Sequence, residues 1–182
     1  MHLRSGSDPQ VQADLEPVIP NQWWRIRGPK ALTADKRVAH LTGFSYLAWQ
    51  NCKLRHVPYT PCLLLTTIGR SSGMLRETVL PFHPFDDGEV VVIGSNSGGS
   101  SDPSWVENLR SEPRCWLRVR RRDRATLGRV AAGDERSRAL SAVLITRPYA
   151  QAYEDRTRLL GREMPIVILS PRLNASRKKE RP

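Results

Sequence analysis

The run CLLLTTI at 62–68 and the alternating run LRETVLPF at 75–82 are separated by little more than Gly69, Arg70, Ser71, Ser72 and Gly73. Two β-type runs joined so closely have no room for a crossover helix and must pair antiparallel. HPFDDG then supplies turn chemistry, with Asp87 and Gly88 at its tip. EVVVIGS at 89–95 is a third strand, and its continuous Val and Ile indicate burial on both faces. CWLRVRRRDRATLGRVA at 115–131 reads as a hairpin turning near Arg122 and Asp123, and PIVIL at 165–169 as a last strand.

Helical patterns surround these strands. Residues 33–56 place Val38, Leu41, Phe44, Leu47, Ala48 and Leu54 near a 3.6 period and read as one helix. That helix either covers the core or, through Phe44 and Trp49, makes a peripheral contact with a membrane surface. A short helix is expected from an Asp102 N-cap with Pro103 at the first position, stopping before Pro113. A third helical zone starts near Asp134, restarts or kinks at Pro148 and ends at Gly161. The order predicts an α+β domain, about six mostly antiparallel strands forming a small barrel with peripheral helices. No strand leads through a glycine turn into a crossover helix, which excludes a Rossmann arrangement.

A chain of 182 residues buries enough surface to fold without a metal or disulfide. Residues 1–30 are polar and proline-bearing and read as a flexible segment, with Trp23 and Trp24 as apolar exceptions. Residues 31–173 form the domain, and 174–182 a basic tail. Cys52, Cys62 and Cys115 are odd in number and widely spaced, which argues against a disulfide framework. The histidines do not pair with them at zinc spacing, so no metal is expected. No leader pattern and no run of spanning length is visible, so a cytoplasmic protein is expected. The net charge of +11 favours an anionic partner.

Two loops suit an anion. Gly69 to Gly73 can be a plain hairpin loop, or a nest in which glycines aim successive N–H groups at one point while Arg70, Ser71 and Ser72 add donors. VVVIGSNSGGSSDPSWVENLRSEP places a second small-residue loop before a helix N-terminus, where free N–H groups and partial positive charge also favour anions.

PCLLLTTIGRSSGMLRETVLPF, GEVVVIGSNSGGSSDPSWVENLRSEPR and MPIVILSP, in that order over about 59–171, resemble the deazaflavin-dependent nitroreductase family of actinobacteria. The resemblance implies a split β-barrel and coenzyme F420 as cofactor, with FMN the weaker candidate. It places Gly69, Arg70, Ser71 and Ser72 at a phosphate-cradling turn and Arg76 in the same groove. It sets Ile93, Gly94, Ser95 and Asn96 along the deazaflavin rings, and Ser104, Trp105 and Asn108 at the start of the helix closing the site. Trp105 can equally be a core residue. The family often has lysines where this chain has Ser71 and Asn96, a loss that Arg70, Arg76 or the arginines at 118–124 would have to offset. A substrate-side tyrosine of the family aligns with Ala150, between Tyr149 and Tyr153, which are the candidate catalytic proton donors.

The implied activity is transfer of a hydride from reduced coenzyme F420 to an activated alkene, quinone, imine or nitro-type small molecule, a hydrophobic substrate. The alternatives are a cofactor-independent isomerisation or cyclisation in the same pocket, and an anion-binding module. RVRRRDR alone is a poor nucleic-acid signature, so no specific nucleic-acid partner is expected. The oligomeric state is left open, with a homodimer allowed.

Overall fold

The computed structural model describes residues 29–172. The N-terminal segment with Trp23 and Trp24, and the basic tail, lie outside the described residues. The chain runs α1 (Pro29–Thr42), α2 (Tyr46–Leu54), β1 (Cys62–Ile68), β2 (Leu75–Pro81), β3 (His83–Pro84), β4 (Val90–Ile93), α3 (Ser104–Ser111), β5 (Arg114–Val119), β6 (Arg122–Val130), α4 (Gly133–Thr146), α5 (Ala150–Leu159) and β7 (Ile166–Pro171). The seven strands form one sheet in the order β2-β1-β5-β6-β7-β4-β3, and every pairing is antiparallel. The sheet curls as a half-barrel and leaves a seam between its two ends, which is the split-barrel arrangement the resemblance implied. The strand beyond the expected six is the two-residue β3, paired with β4.

Strand alternation builds the core. In β4 and β7, Val91, Ile166 and Ile168 face one buried cluster, with Ala139, Val143 and Ala150 of α4 and α5. Val92, Val167 and Leu169 face the other, with Leu63, Leu65, Trp105, Val106 and Leu109. Successive side chains point to opposite faces, so a strand covered on both sides must be apolar throughout. Each Leu or Ile fully buried here contributes about 1.5–3 kcal/mol. α3 fits against β6 because of Gly128, where a Cβ would meet the Leu109 side chain at 2.9 Å.

Three local expectations are corrected. The helix expected over 33–56 is two helices, broken at Gly43, whose φ is +75°. Ser45 ends the break by capping α2: its Oγ accepts from the Ala48 N–H at 3.1 Å and donates to the Asp35 carboxylate at 2.7 Å. Asp35 also accepts from the Leu47 N–H, so one buried carboxylate holds both helices. Asp102 does not cap α3, because two arginines claim its carboxylate, Arg110 at 2.6 Å and Arg162 at 2.7 Å. Pro103 is the residue before the helix. The second hairpin turns at Arg120 and Arg121, φ 45° and 68°, two residues before the expected place.

Candidate functional site

A cleft of about 380 Å³ lies along the seam. Edge strand β2 contributes Thr78 to Pro81, and the far side contributes Ile93, Ser95 and Ser97. Asp35, Leu47 and Asn51 of α1 and α2 border it, and Arg147 and Tyr153 line it from the α4–α5 side. A volume of this size is typical of a small-molecule site. The structure thus brings together three of the expected residues, Ile93, Ser95 and Tyr153.

The side chains at the α4–α5 side form a stack. The Arg55 guanidinium lies 4.4 Å from the Tyr149 ring centre and 5.7 Å from that of Tyr153, and its Nη2 donates to Tyr153 Oη at 3.1 Å. Arg147 Nε donates to Tyr149 Oη at 2.7 Å. Each phenol accepts from a guanidinium and keeps its own O–H to donate. Tyr149 is not a lining residue; it backs Tyr153 edge-on at 6.3 Å, and burial raises its pKa. Ala150, where the family's tyrosine aligns, is fully buried in the core.

Sequence reasoning missed Arg147. Only 5% exposed, it lines the cleft with no ion pair among the described residues. A buried cation without a carboxylate partner is costly unless it meets a negative group in use. Its field reaches its neighbours: burial first and then Arg147 push the His83 pKa down to about 4. Cys62, also in the cleft, is pushed up to about 12 by burial and stays a thiol, which argues against a nucleophilic role.

The turn at 69–73 is closed on itself. Gly69 O accepts from the N–H groups of Ser72 and Gly73, Gly69 N–H donates to Met74 O, and Met74 N–H donates to Ser72 Oγ. The Arg70 N–H donates to Asn108 Oδ1 at 3.1 Å. With these donors spent, the backbone forms no nest, and the donors left open at the turn are side chains. Those of Arg70, Ser71, Ser72 and Arg76 are exposed, and the two guanidiniums make no ion pair among the described residues. They fit a ligand carrying phosphate and carboxylates. The arginines at 118–124 cannot assist them. The register Leu64↔Arg118 and Thr67↔Cys115 puts the β5–β6 turn at the opposite end of β1 from Gly69.

Asn108 is 5% exposed and fully engaged: Nδ2 donates to Thr67 Oγ1 at 3.1 Å while Oδ1 holds the turn. It therefore positions the cradle from below. Trp105 lies in the core cluster, and Ser104 is exposed at the start of α3. Gly94 is tightly enclosed by Val106 and Pro165. Asn96 turns its amide back onto its own loop, donating to Ser101 O at 3.0 Å.

That loop is fixed by arginines with no local sequence signal. Arg162 donates to the carbonyls of Gly94, Ser95 and Gly99 and to Asp102. Arg156 donates to Gly98 O at 2.9 Å. The backbone passing the cleft is thus preset.

A half-closed antiparallel barrel with a preset cleft at its seam defines a split-barrel protein. The sequence pattern of the F420H(2)-dependent quinone reductase family matches residues 48–171, and the chain belongs to that family. It is therefore an oxidoreductase, with coenzyme F420 as its cofactor. A Mycobacterium tuberculosis protein named for F420H(2)-dependent quinone reduction is 33% identical over 116 residues, 62% of this chain and 91% of the relative. The solved structure of an F420-H2 dependent reductase, FDR-A, shares the fold with a TM-score of 0.54 at 24% identity, covering 60% of this chain and 94% of its own. A second, described as a domain-swapped dimer, gives 0.55 at 21% identity, covering 84% of this chain and 100% of its own. None of these relatives supports the cofactor-independent or anion-module readings.

Proposed function

We propose that the seam cleft reduces an activated small molecule, with quinones ahead of alkenes, imines and nitro compounds because the family and its mycobacterial relative are named for quinones. Reduced coenzyme F420 supplies a hydride to such an acceptor. Arg70, Ser71, Ser72 and Arg76 hold its phosphate and carboxylates, and Ile93 and Ser95 border its ring system. The observation that carries the reading is Arg147: a buried guanidinium without a counter-ion among the described residues, lining the cleft, is placed to stabilise the negative oxygen of a quinone gaining electrons. Tyr153 Oη holds a proton for that oxygen, oriented by the Arg55 donor. Tyr149 positions both arginines, accepting from Arg147 at its hydroxyl and carrying Arg55 against its ring.

The test pairs affinity with turnover. The chain is expected to bind deazaflavin more tightly than FMN. Arg147→Gln is expected to lower kcat for quinone by about a hundredfold or more, as loss of an oxyanion donor does, with the coenzyme dissociation constant little changed. Micromolar FMN binding with no detectable deazaflavin binding would overturn the cofactor assignment to this cleft. An unchanged kcat in Arg147→Gln would remove the oxyanion role.

A further inference from the structure

The basic hairpin at 118–124 lines no part of the cleft, yet four of its arginines are uncompensated among the described residues. The guanidiniums of Arg120, Arg121, Arg122 and Arg124 make no ion pair or hydrogen bond among the described residues. Asp123, the acid between them, is taken by Arg118 in a two-pronged contact at 2.6 and 2.7 Å. Glu89 and Asp86, on the neighbouring turn, are engaged by Arg129 and Arg138. The Arg120–Arg121 connection also places two arginines at positive φ, where Asn-Gly is the usual choice.

Behind this rim is a second cavity of about 380 Å³. Arg120, Arg122 and Arg124 border it, and Phe82, Leu117 and Leu169 give it an apolar lining. Seven residues of β1 separate this end of the sheet from the turn at Gly69, about 20 Å at the usual strand rise. Leu41 and Phe44 are exposed on either side of Gly43, whose backbone packs on Arg120.

We propose that this pocket binds an amphipathic anion, an acyl chain with a phosphate or carboxylate head. The chain replaces water on the apolar lining, and the head accepts charge-assisted bonds from the guanidinium forks. The pocket shares no lining residue with the cleft, and the proposal does not rest on the cleft's reading. The ligand's source is a free amphiphile or the headgroup end of a bilayer lipid.

The probe is dodecyl phosphate, kept monomeric below its micellar concentration and titrated calorimetrically into the full chain. It is expected to bind at least about tenfold more tightly than inorganic phosphate and than an uncharged dodecyl glycoside, since both the chain and the charge contribute. The Arg122→Gln/Arg124→Gln double variant, changed only at exposed positions, is expected to weaken it about tenfold while leaving the thermal midpoint and deazaflavin affinity unchanged. Sedimentation with phosphatidylglycerol but not phosphatidylcholine vesicles, lost in the same variant, assigns the bilayer source. Monomer binding without sedimentation assigns the free amphiphile. Dodecyl phosphate binding no tighter than inorganic phosphate, binding unaffected by the double variant, or binding to vesicles without monomer binding overturns the proposal.

Discussion

Asn108 shows how one amide can serve two elements. Its Oδ1 and Nδ2 satisfy the Arg70 N–H and Thr67 Oγ1 beneath the cradle, out of reach of solvent. Asn108→Ala leaves the buried Thr67 hydroxyl and the part-buried Arg70 N–H without their partner, at a cost of about 1–3 kcal/mol for the buried group. A fall of several degrees in thermal midpoint is expected, together with weaker deazaflavin binding, because the turn that carries Arg70 loses its anchor. A stable variant with unchanged affinity would show that the turn needs no such anchor. His83 makes the complementary case for pH. Burial, with Arg147 second, holds its pKa near 4 instead of 6.5, so the unfolded chain takes up a proton that the folded ring refuses. Stability contributed by the neutral ring is present above about 6.5 and lost as pH falls toward 4. Thermal midpoints from pH 7 to pH 4 should fall more steeply in the natural chain than in His83→Gln. Parallel curves would remove His83 from the titration.

At the scale of elements, the strands were legible and their connections were not. The runs at 62–68 and 75–82 carry a periodicity that needs no partner to be read, and Pro148 and Gly161 punctuate helices as backbone chemistry requires. The break at Gly43 escaped because the apolar period continues through it. What dictates the break is tertiary: a Cβ there would meet Arg120 Cα at 3.0 Å. Asp102 looked like a cap because its competitors, Arg110 and Arg162, lie 8 and 60 residues away in sequence. Arg162 is the residue whose removal should be felt most by an element without regular structure. Arg162→Ala strips donors from three carbonyls of the loop at 94–102 and leaves Asp102 to Arg110 alone. Loss of charge-assisted bonds of this kind costs about 2–3 kcal/mol. Amide exchange at 95–101 should accelerate while that of β1 and β5 does not, and the KM for substrate should rise. Exchange unchanged across the loop would mean that Arg156 alone suffices to hold it.

For the whole molecule, the net charge of +11 resolves into paired and unpaired arginines. The sequence could supply the total but not the pairing, since partners such as Arg129 and Glu89 meet only when β6 and the β3–β4 turn are folded together. Near the cleft, this distinction separates the two positions where the family often has lysine. Ser71 is exposed on the turn, beside guanidiniums that make no ion pair among the described residues, and its replacement by Lys disturbs no bond of the turn, which uses Ser72 Oγ and not Ser71. Asn96 spends its amide on Ser101 O, so Asn96→Lys adds a charge but releases its loop. A new cation within about 4 Å of a phosphate could contribute up to roughly 4 kcal/mol at an effective surface dielectric. Exposed pairs usually net below about 1 kcal/mol after ordering and desolvation. Ser71→Lys is therefore expected to tighten deazaflavin binding a few-fold, and added salt should erase the gain because the site is open to solvent. Asn96→Lys should gain less or lose affinity, despite carrying the same charge. Titrations of both variants at low and high salt decide the matter. Equal gains in the two would show that charge alone governs the site and that the bond from Asn96 to its own loop is dispensable. No gain in Ser71→Lys at low salt would place the coenzyme's anionic end away from the 69–73 turn.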